Sequence, residues 1–234
     1  MTKIQRGFIR HLPCPKCGSK DNLAEYEDHF WCFGCRYHKN KDDLESLRAR
    51  ISDKEIQITS VDVLETTPEI PIKPLKWLLS FGITLKEVVD NNITWNSKDQ
   101  LLVLLNKPGY WQARCFGNQR VKYMSKGEKP LTIYGKGDTI VLVEDILSAI
   151  KVARLSPNYC SSPLLGCSIH KDTIQSLQGK FKSVRVWLDR DKAIEAIKIA
   201  KQFRERGVES DVIITEKDPK EYSKEELFEW LKSK

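Results

Sequence analysis

Four cysteines stand in two close pairs, Cys14-x2-Cys17 and Cys32-x2-Cys35, fourteen residues apart. Two tight knuckles of this kind bring four thiolates together, and tetrahedral zinc is the natural occupant. Gly18 and Gly34 are expected to permit the backbone turns that the knuckles need. The total of seven cysteines is odd and the first ten residues lack the apolar block of an export signal, so metal ligation is favoured over disulfides. Cys115, Cys160 and Cys167 are then ordinary thiols. With four cysteines in register, neither His29 nor His38 is needed as a ligand.

Three carboxylates form a second constellation. Glu144 directly follows the apolar run Ile140–Val143, and Asp189 with Asp191 follows Val184–Leu188. In an open parallel sheet, ligands gather beyond the carboxyl ends of the strands, so two neighbouring strands would present all three acids to one crevice. Like charges a few ångströms apart repel and raise one another's pKa, a cost that a bound cation relieves. Magnesium is the fitting ion, because it takes one or two carboxylates plus phosphate oxygens and keeps several waters. A single acid at the start of a helix merely complements the helix dipole, and Asp145 is read that way.

The third feature is charge. From Lys107 to Lys136 there are seven basic residues (Lys107, Arg114, Arg120, Lys122, Lys126, Lys129, Lys136) against one acid, Glu128, a local +6 in a chain whose net charge is +7. Tyr110, Trp111, Phe116, Tyr123 and Tyr134 interleave with them. Cations that follow a phosphate backbone, mixed with rings on which bases stack, suit a single-stranded nucleic acid.

The elements that must position these groups can be read from punctuation and periodicity. In 234 residues, 40% apolar and 30% charged, there is room for two compact units, and a mainly disordered chain is excluded. No stretch is long and uncharged enough for a membrane span, which leads us to expect a cytoplasmic protein. Residues 1–50 are too few for a self-sufficient core and are expected to form a β-hairpin ribbon around the zinc. Residues 51–74, with Pro68, Pro71 and Pro74, are expected to be a flexible connector. Leu75–Phe81 reads as a helix stopped at Gly82, and Thr84 with Glu87 reads as a capping box opening another. Leu101–Leu105 and Tyr110–Phe116 read as a hairpin. Beyond residue 138, strands at Ile140–Val143, Val184–Leu188 and Val212–Thr215 alternate with helices, the rhythm of a mostly parallel α/β sheet. Ala193, Ile197, Ala200 and Phe203 mark the apolar stripe of one helix, and Ser223 with Glu226 caps the last.

The order of these three features, a four-cysteine ribbon, a basic hairpin region, then strand-Glu and strand-Asp-x-Asp, resembles the bacterial replicative primases and the primase half of phage primase-helicases over nearly the whole chain. The matching pieces are CPKCG and HFWCFGC in the ribbon, WQAR, VKYMS and LTIYGK in the basic region, and VEDILSAIKV, LLGCS, VWLDRD and KDPKEY in the sheet. The resemblance implies an α/β RNA polymerase domain of the Toprim type preceded by a small β-rich zinc ribbon. Residues 1–50 would recognise the template, 75–137 would be the basic subdomain and 138–234 the Toprim catalytic subdomain. Glu144, Asp189 and Asp191 would hold one or more magnesium ions, or manganese in their place. Lys122 would contact nucleotide or primer phosphates, and Arg114, Arg120, Lys126 and Lys136 would line the nucleic-acid path. His29 and Trp31 would touch DNA, and Asp218 would stand near the site. The chain departs from the family pattern at Asp145, where glycine is usual, at Ser148, where an acid is usual, and at Ile194, another usual glycine.

The activity so implied is synthesis of short RNA primers on single-stranded DNA from ribonucleoside triphosphates. There is no Gly-x4-Gly-Lys-[Ser/Thr] loop, so unwinding would fall to a separate replicative helicase. The alternatives are a non-catalytic zinc and Toprim DNA-binding recombination mediator, and a Toprim nuclease that hydrolyses phosphodiesters with the same acids.

Overall fold

A computed structural model of the chain describes residues 7–41 and 63–232. It divides into two compact units, residues 1–59 and 60–234. The stretches 42–50 and 51–62, part of the expected ribbon and connector, lie outside the described residues.

The first unit is a four-stranded antiparallel sheet in sequential order: β1 (Phe8–Leu12), β2 (Leu23–Tyr26), β3 (His29–Cys32) and β4 (His38–Asn40). Its core cluster is formed by the buried residues Cys14, Leu23 and Cys32, with Leu12, Phe30, Cys35 and Tyr37 packed around them. Burying a leucine stabilises by about 1.5–3 kcal/mol, whereas ordering each residue costs about 1–2 kcal/mol. So small a core cannot hold the sheet unaided.

The second unit has two sheets. An antiparallel one follows chain order: β5 (Thr94–Asn96), β6 (Leu101–Lys107), β7 (Tyr110–Cys115) and β8 (Tyr123–Gly127). β8 ends at Gly127 because β7 is entered through a tight turn beside it; a Cβ there would lie 1.9 Å from the Gly109 carbonyl oxygen. Helices α1 (Ile72–Ser80) and α2 (Leu85–Asp90) pack on this sheet through Leu78 and Val88, with Ile83 of the turn between them. Helix α1 starts three residues before the sequence suggested. Pro74 sits in its first turn, where no helical N–H is needed, so the proline does not exclude helix. Residues just before it are tied to the sheet rather than loose: Asn96 Nδ2 donates to the Glu65 carbonyl, Asn106 Nδ2 to that of Leu64, and Thr67 bridges Trp95.

The other sheet comprises β9 (Tyr134–Gly135), β10 (Thr139–Val143), β11 (Tyr159–Pro163), β12 (Ser183–Trp187) and β13 (Glu209–Val212), in the order β13-β12-β10-β11-β9. All neighbours are parallel except β9. Alternate residues of β10 face opposite layers. Ile140 and Leu142 join Ile174 of α4 (Lys171–Leu177) and Phe203 of α5 (Ala193–Arg204), while Val141 and Val143 join Val152 of α3 (Ile146–Ala153) and Leu227 of α6 (Lys224–Lys232). The outer face of α3 carries Ile146, Leu147 and Ile150 into the cluster beneath the antiparallel sheet. One helix thus serves both sheets.

Both capping boxes form, at Thr84–Glu87 and Ser223–Glu226. The stripe of α5 is rotated from the expected one: Ala196, Ile199, Ala200 and Phe203 are buried, and Ile197 is exposed. Strand β13 begins at Glu209, because Ser210 enters the core by donating to the Ala200 carbonyl.

Candidate metal and nucleotide site

The cysteine quartet converges. Cys14 and Cys35 Sγ atoms are 3.7 Å apart, as are those of Cys17 and Cys32, and all four lie within 4.8 Å of one another. A tetrahedral zinc with bonds of about 2.3 Å requires sulfur separations of about 3.8 Å, so the donor set fits the ion. The first knuckle turns at Gly18 in the left-handed region (φ +68°), as expected. The second turns not at Gly34 but at Arg36 (φ 58°), the residue equivalent to Gly18, one place after the second cysteine. Gly34 instead makes room: a Cβ there would meet Asn22 Nδ2 at 3.1 Å.

Neither His29 nor His38 is in the quartet. His29 stacks on Tyr26 at 4.5 Å, its Nδ1 lies 2.6 Å from Asp28 Oδ1, and its ring is 5.3 Å from that of His38. Trp31 lies 6.0 Å from His38. Register pairs Trp31 with Ala24 and His38, so these rings share one face of the sheet, opposite the face of Leu23 and Cys32.

In the second unit, β10 and β12 are adjacent and in register, Val143 beside Trp187. Glu144 and Asp189 therefore emerge side by side. They line one crevice with Asp145, Lys220, Gly166, Leu165, and Gln112 and Tyr123 of the antiparallel sheet. Glu144 Oε2 and Asp189 Oδ1 are buried and have no hydrogen-bond partner. Burial, then the charges of Asp145 and Asp218, hold the Glu144 carboxyl above its ordinary value. Burial, then Glu144 and Asp218, push Asp189 up to about 7. Two carboxylates with orphaned oxygens, the charge of Glu144 helping to raise the pKa of Asp189, form a site that a hard divalent cation would relieve.

The other acids differ. Asp145 caps α3, accepting from Ser148 N at 3.1 Å and Ser148 Oγ at 2.9 Å. The two departures at positions 145 and 148 are thus partners of each other. Asp191 lies in a short 3-10 turn (Arg190–Lys192), with a side chain 72% exposed and paired to Lys192, which holds its carboxyl below the ordinary value. It stands at the margin, near enough to raise Glu144 but not lining the crevice. Lys220, absent from the residues singled out in the sequence, lies 2.6 Å from Asp218 Oδ2 and 3.0 Å from Asp145 Oδ2. Its only sequence signal is its place two residues after Asp218 in KDPKEY.

The basic residues divide. On β7, Gln112 and Arg114 share a face and pair across with Ser125 and Tyr123. The Arg114 guanidinium is held among Trp77 at 4.3 Å, Tyr123 at 5.2 Å and Phe116 at 5.7 Å. Lys122 and Arg120 are exposed just before β8. Lys126 instead lines a groove with Trp111, Asn96 and Lys98; it pairs with Trp111, one residue out of phase with Gln112 and so on the other face. Lys136 follows β9, whose Gly135 pairs with Cys160 near the start of β11, at the end of the sheet away from the acids. Lys129, not among the expected contacts, donates to the Leu165 carbonyl at 2.7 Å, beside the crevice. Of the five interleaved aromatics, Tyr110 and Trp111 are core residues and Tyr123 is exposed.

No protein-family model matches the chain, and no curated protein matches it in sequence. Among solved structures it is similar to the zinc-binding and RNA polymerase domains of the Aquifex aeolicus primase, with TM-score 0.54 and 15% identity over 94% of this chain and 77% of that one. It is also similar to the E. coli primase catalytic core, with TM-score 0.42 and 19% identity over 65% of this chain and 61% of that one. A bacteriophage T7 assembly of lagging-strand DNA polymerase with primase domains gives TM-score 0.44 and 14% identity over 60% and 79%. The Aquifex likeness supports the fold alone: a small β-rich region carrying a four-cysteine cluster, followed by an α/β domain.

Proposed function

We propose that the chain is a DNA primase, a DNA-directed RNA polymerase that makes short RNA primers on single-stranded DNA. The observation that carries this reading is the pair of buried, unpartnered oxygens on Glu144 and Asp189, in a crevice also lined by Gln112 and Tyr123 of the neighbouring sheet. Glu144 and Asp189 would hold magnesium or manganese, with Asp191 joining from the margin. A divalent ion held there would supply a lowered pKa for the attacking 3′-hydroxyl and counter-charge at the α-phosphate and pyrophosphate. The chain's own part is alignment. Arg114, fixed by its aromatic cage, presents a planar donor to phosphate. Tyr123 offers a ring for base stacking, and Lys122 and Arg120 extend the cationic path for template and primer. His29 and Trp31 belong to the ribbon face that would read the template in residues 1–50, with residues 75–137 and 138–234 as basic and Toprim subdomains. A separate helicase is the expected partner and the cytoplasm the expected compartment; among the described residues no helix is long and apolar enough to cross a membrane.

Zinc-loaded protein, single-stranded DNA of mixed sequence, labelled ribonucleotides and magnesium should yield short RNA, and Asp189→Asn should abolish it. Shortened DNA instead of RNA would assign the crevice to a nuclease. Retention of DNA with neither product would assign the chain to a non-catalytic mediator.

A further inference from the structure

Four carboxylates gather at the crevice, those of Glu144, Asp145, Asp189 and Asp218, and the Lys220 ammonium is set among them. The lysine side chain is 17% exposed, and its Nζ contacts Asp145 and Asp218 at 3.0 and 2.6 Å. This position is built by the backbone. Lys220 lies in the 3-10 turn Pro219–Glu221, and Lys151 of α3, only 4% exposed, donates to the carbonyls of Lys220 and Tyr222 at 2.7 and 2.6 Å. Asp145, at the other end of the contact, is fixed by Ser148 as the cap of the same helix. One helix therefore holds both the backbone that carries the ammonium and a carboxylate that receives it. Glu144 Oε2 and Asp189 Oδ1, by contrast, are buried oxygens of the crevice left without a hydrogen-bond partner.

We propose that Lys220 is a resident cation that fills one of the crevice's cation positions, so that the crevice takes a single divalent ion, on Glu144 and Asp189, rather than two. The inference rests on the reading of the crevice as a metal-dependent nucleotidyl-transfer site and specifies its stoichiometry. A second divalent ion would have to strip Asp145 and Asp218 of an ammonium whose backbone is itself anchored. An ammonium has three donors, and two are engaged by the carboxylates; the third is available to a non-bridging phosphate oxygen of a nucleotide in the crevice. Lys220 then supplies fixed positive charge and a hydrogen bond where an ion would have supplied coordination.

The test is a manganese titration of the full zinc-loaded chain, with free ion counted by electron paramagnetic resonance and folding checked by circular dichroism. The proteins are wild type, Lys220→Gln, Lys220→Asp and Asp189→Asn. One ion per wild-type chain, two in whichever Lys220 variant folds, and loss of the wild-type ion in Asp189→Asn is the expected pattern. Two ions in the wild type, or one still in folded Lys220 variants, would overturn the resident cation and leave the metal site standing. No ion in the wild type would overturn the metal site itself, and the resident cation with it.

Discussion

Lys151 is a lysine inside a helix whose ammonium holds two backbone carbonyls and, among the described residues, no carboxylate at hydrogen-bond distance. Truncating it would leave those carbonyls unsatisfied, so Lys151→Met should lower unfolding stability by about 2–3 kcal/mol, measured by urea denaturation. Burial, reinforced by Arg154 and opposed by Glu87 and Glu226, lowers its pKa to about 8, against about 10.4 in an unfolded chain. Between those values the unfolded chain binds more protons, so this group makes stability rise from about pH 8 to pH 10. Wild type should show that rise relative to Lys151→Met; parallel curves for the two would refute it. Arg114 invites a second substitution. Lysine cannot reproduce a guanidinium stacked at 4.3 Å on Trp77. Arg114→Lys should raise the nucleotide KM about tenfold, the ~1.4 kcal/mol of one charge-assisted contact, with little change in kcat. At this scale the sequence marked Glu144, Asp189 and the cysteines because each follows a strand or sits at fixed ligand spacing. It could not mark Lys220 or Lys151, whose roles depend on contacts 69 to 75 residues away.

Elements were legible where one local signal sufficed. Capping boxes, the hairpin and the apolar strands β10 and β12 all announce themselves. β11 did not, because Cys160, Ser161, Ser162 and Pro163 lack an apolar run; Ser161 is buried by donating to the Ala149 carbonyl of α3. The phase of α5 was misjudged because Ile194 and Ile197 are both apolar and both exposed. The divided basic segment has the same origin: strand alternation sends Arg114 and Lys126 to opposite faces, which a count of charges does not register. For the ribbon, the small core predicts dependence on zinc, a contribution of about 10–16 kcal/mol in small zinc modules. Chelating zinc should remove hydrogen-exchange protection from residues 8–40 and leave that of residues 139–212 in place. Retained protection in the ribbon would show that its apolar contacts suffice.

For the whole molecule, the order of four-cysteine ribbon, antiparallel sheet and mostly parallel sheet was readable from cysteine spacing, charge and strand rhythm. The bringing together of Gln112 and Tyr123 with Glu144 and Asp189 was not, since it is set by α3 packing between two sheets. The central claim is that the ends of β10 and β12 hold a divalent ion. Ferrous ion bound in place of magnesium, with ascorbate and peroxide, generates hydroxyl radicals that cut the backbone near the metal, and the cut sites can be read by mass spectrometry. Cleavage clustered at residues 144–145, 165–166 and 189, suppressed by excess magnesium and absent in Asp189→Asn, is the predicted result. Cleavage spread evenly, or unchanged by Asp189→Asn, would contradict it.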